Sequence, residues 1–386
     1  MLRALSCCLA LLALGAAPAS AGRWVAGDLH VHTTYSHDSW GGPGDDSPTD
    51  PTEYYTLGQT VTEDFAIAKL RGLDYLAITD HNDLRSQSDP GFGFGGVLPV
   101  PGYENSLHGH AQMLGATRLY DNGDSSTAAI LAEEQALRAD GGVFQANHPI
   151  DPVWAYQYDV PVDDVEVWNL PWYYQPPFPA ASDNERALRY WEGWLDRGAH
   201  VTATGGSDSH WKATLAAQGP GQPTTWIHVD RLTVKGVMAG LRQGHTFISS
   251  EPPAMGGARV FLEGRVHGRW AALPGDTVMP GTPLRVRVLG APGATLRVVA
   301  DHQATVIEVP VASPSFTQEL RAPRTATYAF AEVFGTDATA QREQLCQAVP
   351  SLSLDGETTY CSNRIAMLAL SSAIYFRPAS WPGSHA

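Results

Sequence analysis

The residues best suited to chemistry in this chain are histidines and carboxylates that fall where apolar runs stop. An apolar lead-in at Trp24–Ala26 runs on to His30-Val31-His32. In a strand, residues i and i+2 point to the same side, so both imidazoles project together from one strand end. Two imidazoles so placed can share a metal ion. Asp38, or else His37, is close enough in the chain to add a ligand. Alone, such a pair is weak, because many are accidental surface or hydrogen-bonded pairs. It gains weight when further ligand types arrive at later strand ends.

They do arrive. Tyr75-Leu76-Ala77-Ile78 gives way to Thr79-Asp80-His81, where Asp80 is placed to orient a ligand by hydrogen bonding. Pro101-Gly102-Tyr103 ends in Glu104, a carboxylate with oxygens enough to bridge two cations. His108 and His110 follow, and His110 immediately precedes another apolar run. Asn147-His148-Pro149 closes a further strand. Gly205-Gly206-Ser207-Asp208-Ser209-His210 closes another, with Asp208 and His210 again two apart. Each of these has a bland reading as a satisfied polar residue, a surface carboxylate or a turn cap. Chance does not place His, Asp and Glu repeatedly at one kind of boundary. His200, His228, His245, His267, His302 and His385 lie off the pattern and receive no role.

A His/carboxylate set of this kind accepts Zn, Mn or Fe. Side-chain nucleophiles are not indicated. Gly205–Ser209 lacks the G-x-S-x-G elbow, and residues 24–250 contain no cysteine. Lys212 and Arg85, just beyond motif residues, are candidates for binding a substrate anion, with solvated surface charge as the alternative.

The elements that must position these residues alternate. Strand-type runs are Val25–Val31, Asp74–Thr79, Val97–Glu104, Ala111–Ala116, Gly142–Asn147, Asp164–Asn169 and His200–Gly205. Helical patterns occupy Thr62–Arg71, Ser126–Ala139 and Asn184–Arg197. That alternation predicts parallel strands with helical crossovers. The Gly- and Pro-rich insertions Gly41–Pro51 and Pro90–Gly96, and the aromatic stretch Pro171–Pro179, are candidates for loops at the mouth of a site. After Glu251-Pro252-Pro253 the helical period disappears. Short β-type runs separated by turns then predict a small antiparallel sandwich.

Length and composition set the outer bounds. A chain of 386 residues calls for two folded parts. Arg3, the apolar run Leu9–Leu14 and Ala19-Ser20-Ala21 read as a cleavable export signal over 1–21, too short to span a bilayer. Residues 22–254 would form the catalytic part and 255–386 the β-rich tail. The expected location is the periplasm or outside the cell, without stable membrane insertion. Loss of Arg3 with the leader takes the net charge from −15 to −16, which argues against nucleic acid as a partner. Two cysteines then remain, Cys346 and Cys361. After export they would form a disulfide contributing about 3 kcal/mol in the chain-entropy model.

The motifs resemble those of the PHP (polymerase and histidinol phosphatase) metallohydrolases over about residues 24–250. They stand here as His30-Val31-His32, Thr79-Asp80-His81, Glu104 with a following His, and Gly206-Ser207-Asp208-Ser209-His210. The leader, the Glu104 to Gly109-His110 spacing and the β-rich tail look most like the CehA/McbA-type branch. The resemblance implies an α/β fold, a distorted TIM-like (β/α)7 barrel followed by the small C-terminal antiparallel β-sandwich. It implies two to three divalent ions. His30, His32, Glu104 and Asp208 would surround one. Glu104 would bridge to a second held by His110 and His148, and Asp38, His81 and His210 would hold a third. It favours Asp38 over His37, and His110 over His108. Asp208, His210 and Glu104 would be closest to the reaction. Ions so held lower the pKa of water towards ~7 and offset developing negative charge. The expected substrate is a small-molecule phosphate ester. A carboxyl ester, amide or carbamate on the same ions is the alternative, and a non-catalytic, metal-stabilised binding protein is a further one.

Overall fold

The computed structural model describes residues 22–39, 58–121, 123–150, 153–170, 172, 184–210, 219–336 and 365–377. The export signal, Lys212, Cys346 and Cys361 lie outside them. In the first part the elements are β1 (Arg23–Asp28), α1 (Val61–Leu70), β2 (Tyr75–Ala77), β3 (Leu98–Val100), β4 (Glu104–Asn105), β5 (Ala111–Leu114) and α2 (Thr127–Ala139). Then come β6 (Val143–Ala146), β7 (Asp164–Asn169), α3 (Asn184–Asp196), β8 (Thr202–Gly206), β9 (Thr224–Val229), α4 (Val234–Arg242) and β10 (Thr246–Ser249).

Local chemistry sets the helix starts. The Thr60 hydroxyl accepts from the Glu63 N–H, and the Glu63 carboxylate accepts from the Thr60 N–H at 2.8 Å, a reciprocal cap for α1. Ser126 and Thr233 cap α2 and α4 through the N–H groups of Ala129 and Gly236. Helix α3 packs on β7, and its Trp191 indole N–H donates to the Val201 carbonyl at 2.8 Å.

The strands do not close into a barrel. One sheet runs β3-β2-β1-β9-β10 and continues into the tail, and a second runs β4-β5-β6-β7-β8. The expected (β/α)7 barrel is therefore corrected to several open sheets of mixed direction. Helices α1 and α3 do link parallel neighbours, β1 with β2 and β7 with β8. Helices α2 and α4 link strands that pair antiparallel, β5 with β6 and β9 with β10. β5 also runs antiparallel to β4, with too few residues between them for a crossover. A helical pattern between two strands reports a helix, not the direction of the returning strand.

Both sheets contribute to one apolar core. Val25, Leu29, Tyr75 and Ala77 from the first and Leu114 and Val143 from the second are fully buried together, beside Val237 and Leu241 of α4. Each large apolar side chain there contributes about 1.5–3 kcal/mol relative to exposure. Two parallel bridges, Val31 with Ser209 and His81 with Glu104, join the sheets at the end where the ligand types cluster.

The tail holds β11 (Arg259–Val266), β12 (Arg269–Ala272), β13 (Pro283–Leu289), β14 (Thr295–Ala300), β15 (Ala304–Pro310), β16 (Ser315–Arg321), β17 (Tyr328–Thr336), β18 (Ile365–Ser371) and β19 (Ile374–Tyr375). Strands β12-β11-β13-β16 form an antiparallel layer, and in β13 the buried Leu284, Val286 and Val288 alternate with half-buried residues. The opposing strands β15-β14-β17-β18 are not a sheet of their own. β18 pairs with β10, so this layer is one edge of the ten-stranded sheet that carries β1 and β2. A separate sandwich is thereby also corrected. No helix among the described residues is long and apolar enough to cross a membrane.

Candidate metal centre

The structure brings nine residues from the sequence pattern to one place. His30 and His32 follow β1, His81 follows β2, Glu104 opens β4, His148 follows β6, and Asp208 and His210 follow β8. His110 precedes β5, and because β5 runs antiparallel its start lies at the same end as the other strands' finishes. Asp38 comes from the turn after His32. The His30 and His32 Nε2 atoms are 3.0 Å apart. Glu104 Oε2 is 3.3 and 3.2 Å from them, and Asp208 Oδ1 is 3.2 and 3.3 Å from them. Glu104 Oε1 faces His110 Nδ1 at 3.2 Å and His148 Nε2 at 3.3 Å. Asp38 Oδ2 faces His81 Nε2 at 3.0 Å and His210 Nε2 at 2.9 Å.

This donor set fits divalent cations. The Nδ1–H of His30 is donated to Glu166 Oε1 at 2.9 Å, so in the neutral ring Nε2 carries a lone pair. That lone pair points at His32 Nε2 and two carboxylate oxygens. Glu104 Oε2 and Asp208 Oδ1 each lie within 3.3 Å of both imidazole nitrogens, and such crowding is reconciled by a cation or by protons on the rings. Asp38 Oδ1 is buried without a hydrogen-bond partner among the described residues, as an atom meant for something other than protein is. The residues form overlapping ligand groups: His30, Glu104 and His148; His30, His32 and Asp208; His81, Glu104 and His110; and His32, Asp38, His81 and His210.

A further set of polar side chains holds the ligands. Glu166, fully buried in β7, accepts from His30 Nδ1, from the His148 N–H at 3.0 Å and from Asn169 Nδ2 at 3.0 Å. Asn169 also donates to Asp208 Oδ2 at 3.1 Å. Asn147 donates to Glu104 Oε1 at 2.9 Å and is itself held by Gln145. Ser36 meets His32 Nδ1 at 2.9 Å. Asp28 accepts the N–H groups of His30, Ser207 and Gly221, which straps the two ligand-bearing segments together. Complete burial lifts its pKa to about 6 against the pull of those donors.

Asp80, expected to orient a ligand imidazole, instead accepts the N–H and hydroxyl of Thr33 and braces the turn that delivers Asp38. Three ligand-type residues adopt positive φ: His110 at 54°, His148 at 24° and Asp208 at 47°. Non-glycine residues persist there only when their surroundings over-determine them, and such residues cluster at functional sites.

The electrostatics show where positive charge is wanted. Burial works against protonating His32, yet Asp208 and Glu104 outweigh it and lift the pKa to about 10. His148 is lifted to about 9 against burial, chiefly by Glu104. Burial prevails at His81, which falls to about 4 despite Asp38 and Glu104. Glu104, Asp208 and Asp38 stay well below the usual carboxylate range, because facing imidazoles outweigh their burial. The pocket keeps its carboxylates ionised.

A family model described as "Protein of unknown function (DUF3604)" matches residues 21–88, the stretch carrying His30, His32, Asp38 and His81. No curated protein matches. Among solved structures, the chain is similar to a two-domain protein from Bacteroides vulgatus containing a predicted PHP-like metal-dependent phosphoesterase. The identity is 13%, the TM-score is 0.41, and 81% of this chain and 90% of that one are covered. It is also similar to a protein from Bifidobacterium adolescentis described as a candidate metal-dependent phosphoesterase. There the identity is 16%, the TM-score 0.31 and the coverage 50% of this chain and 90% of that one. Both likenesses are distant.

The other expected residues are placed differently. His37 is exposed, its ring 4.8 Å from that of His81, while Asp38 reaches both facing imidazoles. The side chain of His108 is not among those described. Arg85 points to Asp83 at 2.6 Å and lies over the Tyr35 ring. Pro90–Gly96 packs on α1 through Phe92 and Phe65 rather than standing at the mouth. Trp172 is buried against Trp168, and the rest of its aromatic stretch lies outside the described residues. Glu166, Asn169 and Asn147 were missed. The signal for Glu166 was present, as a carboxylate inside the apolar run Val165–Trp168.

Proposed function

We propose that this chain is a metal-dependent hydrolase of small-molecule phosphate esters. The observation that carries the reading is the convergence of His30 Nε2, His32 Nε2, Glu104 Oε2 and Asp208 Oδ1, each carboxylate oxygen within 3.3 Å of both imidazole nitrogens. The PHP-type motifs supply the reaction class. His30, His32, Glu104 and Asp208 would hold one ion, with Glu104 shared towards His110 and His148, and Asp38, His81 and His210 would hold another. Divalent ions bound there supply positive charge against a developing oxyanion and lower the pKa of water to ~7.

The protein's part is placement. Glu104 offers separate oxygens to two groups of imidazoles, so it would be shared between the ions they hold. Asn147 and Asn169 donate to the outer lone pairs of Glu104 and Asp208 and hold both carboxylates in orientation. Exclusion of water from these nearly buried side chains strengthens every charge interaction in the pocket. We place the activity outside the cytoplasm on the strength of the leader pattern at Arg3–Ala21.

One observation favours a second reading, cleavage of a carboxyl ester, amide or carbamate. Phosphate sites usually recruit Arg or Lys, and Arg85 is turned to Asp83. The deciding experiment gives metal-stripped protein Mn, Zn or Fe(II) and offers it an aryl phosphate, an aryl phosphodiester and an aryl acetate. Metal-dependent turnover of a phosphate substrate is expected. Acetate turnover alone selects the second reading. Full metal loading without turnover of any of them selects a metal-stabilised binding protein.

A further inference from the structure

Glu166 is fully buried in β7 and is not one of the nine ligand-type residues, yet it bonds two of the segments that carry them. Its Oε1 accepts from His30 Nδ1 at 2.9 Å. Its Oε2 accepts from the His148 N–H and from Asn169 Nδ2, both at 3.0 Å. Asn169 passes the same hold to Asp208 Oδ2. One buried carboxylate thus touches, directly or through one amide, three ligand-bearing segments.

We propose that Glu166 is the positioning residue that fixes the geometry of His30, His148 and Asp208, the ligands of what would be the inner ions, an inference that rests on the metal-centre reading above. The argument turns on acceptor count. A carboxylate has acceptors on both oxygens, and here both are used by donors. An amide of the same shape has one oxygen and one NH2. If its oxygen faces His30, its NH2 meets the donors of His148 and Asn169. If it turns over, its NH2 meets the His30 Nδ1–H, and His30 can relieve the clash by moving that proton to Nε2. That nitrogen is the one aimed at the ion. Glu166 therefore keeps Nε2 bare, in the way carboxylates behind metal-bound imidazoles generally set the tautomer.

Its second contact acts on backbone. His148 sits at φ 24°, an unfavourable conformation that aims its ring at Glu104. The bond from its N–H to Glu166 helps hold it there. The fit around this carboxylate is close. A Cβ on Gly206 would lie 2.4 Å from His30 Cβ and 2.6 Å from Glu166 Oε1, so only glycine leaves the pair room. Asp38 faces His81 at 3.0 Å and His210 at 2.9 Å, and the ion these three would hold would be spared by the loss of Glu166.

The test compares wild type, Glu166→Asp and Glu166→Gln, each stripped and then titrated with Zn. Ions per chain are counted by mass spectrometry, folding is followed by circular dichroism, and ring-nitrogen NMR reads the His30 tautomer. Glu166→Gln is expected to bind the inner ions about 10–100-fold more weakly, to keep the ion at Asp38, and to shift His30 away from the Nδ1–H form. Glu166→Asp keeps the charge and both acceptors one methylene further back, so its loss should be smaller. Wild-type affinity in Glu166→Gln, or equal losses in the two variants, overturns the inference and leaves the metal-centre reading standing. If Glu166→Gln unfolds, Glu166→Asp decides, and wild-type inner-ion affinity there overturns the inference. Failure of wild type to take up any ion overturns both.

Discussion

The inner and outer halves of the cluster are built on different supports. His30, His148, Glu104 and Asp208 stand at strand ends whose backbones are paired to one another, as in Asp208 N–H to His30 O at 2.8 Å. They are backed by Glu166, Asn147 and Asn169. The outer half depends on Asp38, which comes from a turn held by Ser36, Thr33 and Asp80. The Glu104 side chain is 1% exposed and that of Asp38 is 25%. Paired strands fix direction before any ion arrives. A turn fixes it less firmly and leaves one carboxylate oxygen, Asp38 Oδ1, without a hydrogen-bond partner among the described residues. Strand-end ligands should therefore hold ions tightly, and the turn-borne ligand should hold one that exchanges.

The largest effect should come from the residue both halves share. Glu104 Oε2 also lies 3.2 Å from His81 Nδ1, so Glu104→Gln removes charge facing four imidazole partners of the cluster and His81 as well. Turnover is expected to fall by on the order of 10³-fold, the scale of losing a principal charge-stabilising group, with uptake of every ion weakened. Full ion content in that variant would break the assignment of Glu104 as the shared ligand. Asp38→Asn should sharpen the contrast. One ion fewer per chain is expected, with the inner ions retained and turnover down by about 10²-fold. Loss of the inner ions along with the outer one would show that the halves are not separate.

The strand ends were legible because their grammar is local. A run such as Tyr75-Leu76-Ala77-Ile78 stops at Asp80-His81, and the same kind of stop recurs at Glu104, His148 and Asp208. What neighbours a strand is not local. Ala111–Leu114 reads as the same apolar run whichever way it points, and only its pairing with Glu104–Asn105 and Val143–Ala146 makes it antiparallel. β10 likewise gives no hint that it pairs with β18, more than a hundred residues away in the chain. Glu166 was hidden for a related reason. A carboxylate in an apolar strand has meaning only when its partner imidazole, far away in sequence, comes to face it. The role of Asp80 was misplaced because adjacency to His81 in sequence is not adjacency of side chains.

Acid should act on the two halves unequally. Without ions, His32 holds its proton up to about 10 and His148 up to about 9, whereas His81 is already neutral above about 4. Ion binding requires bare imidazole nitrogen, so the inner ions must displace protons near neutrality. Their affinity should rise with pH up to that range and fall as pH drops, by about tenfold per pH unit for each proton displaced. Calorimetry at pH 7 in two buffers of different ionisation enthalpy reads the proton count directly. Release of no protons on inner-ion uptake would contradict the raised values.

The smallest effect separates scaffold from centre. Thr60 and Glu63 cap α1, which lies between β1 and β2 on the core side and carries none of the ligands. Thr60→Ala removes the hydroxyl that accepts the Glu63 N–H and leaves that donor to water, at a cost of ~1 kcal/mol. In a chain of this size that is a fall in melting temperature of about 2 °C. Ion content and the exchange rate of the outer ion should stay at wild-type values. His30 and His32 are held by Glu166, Ser36 and the strand bridge to Ser209, none of which leans on the cap. A Thr60→Ala variant that lost ions would show that the β1 and β2 ends are held in place by the helix between them, and the division into braced strand ends and an exchangeable turn would have to be redrawn around α1.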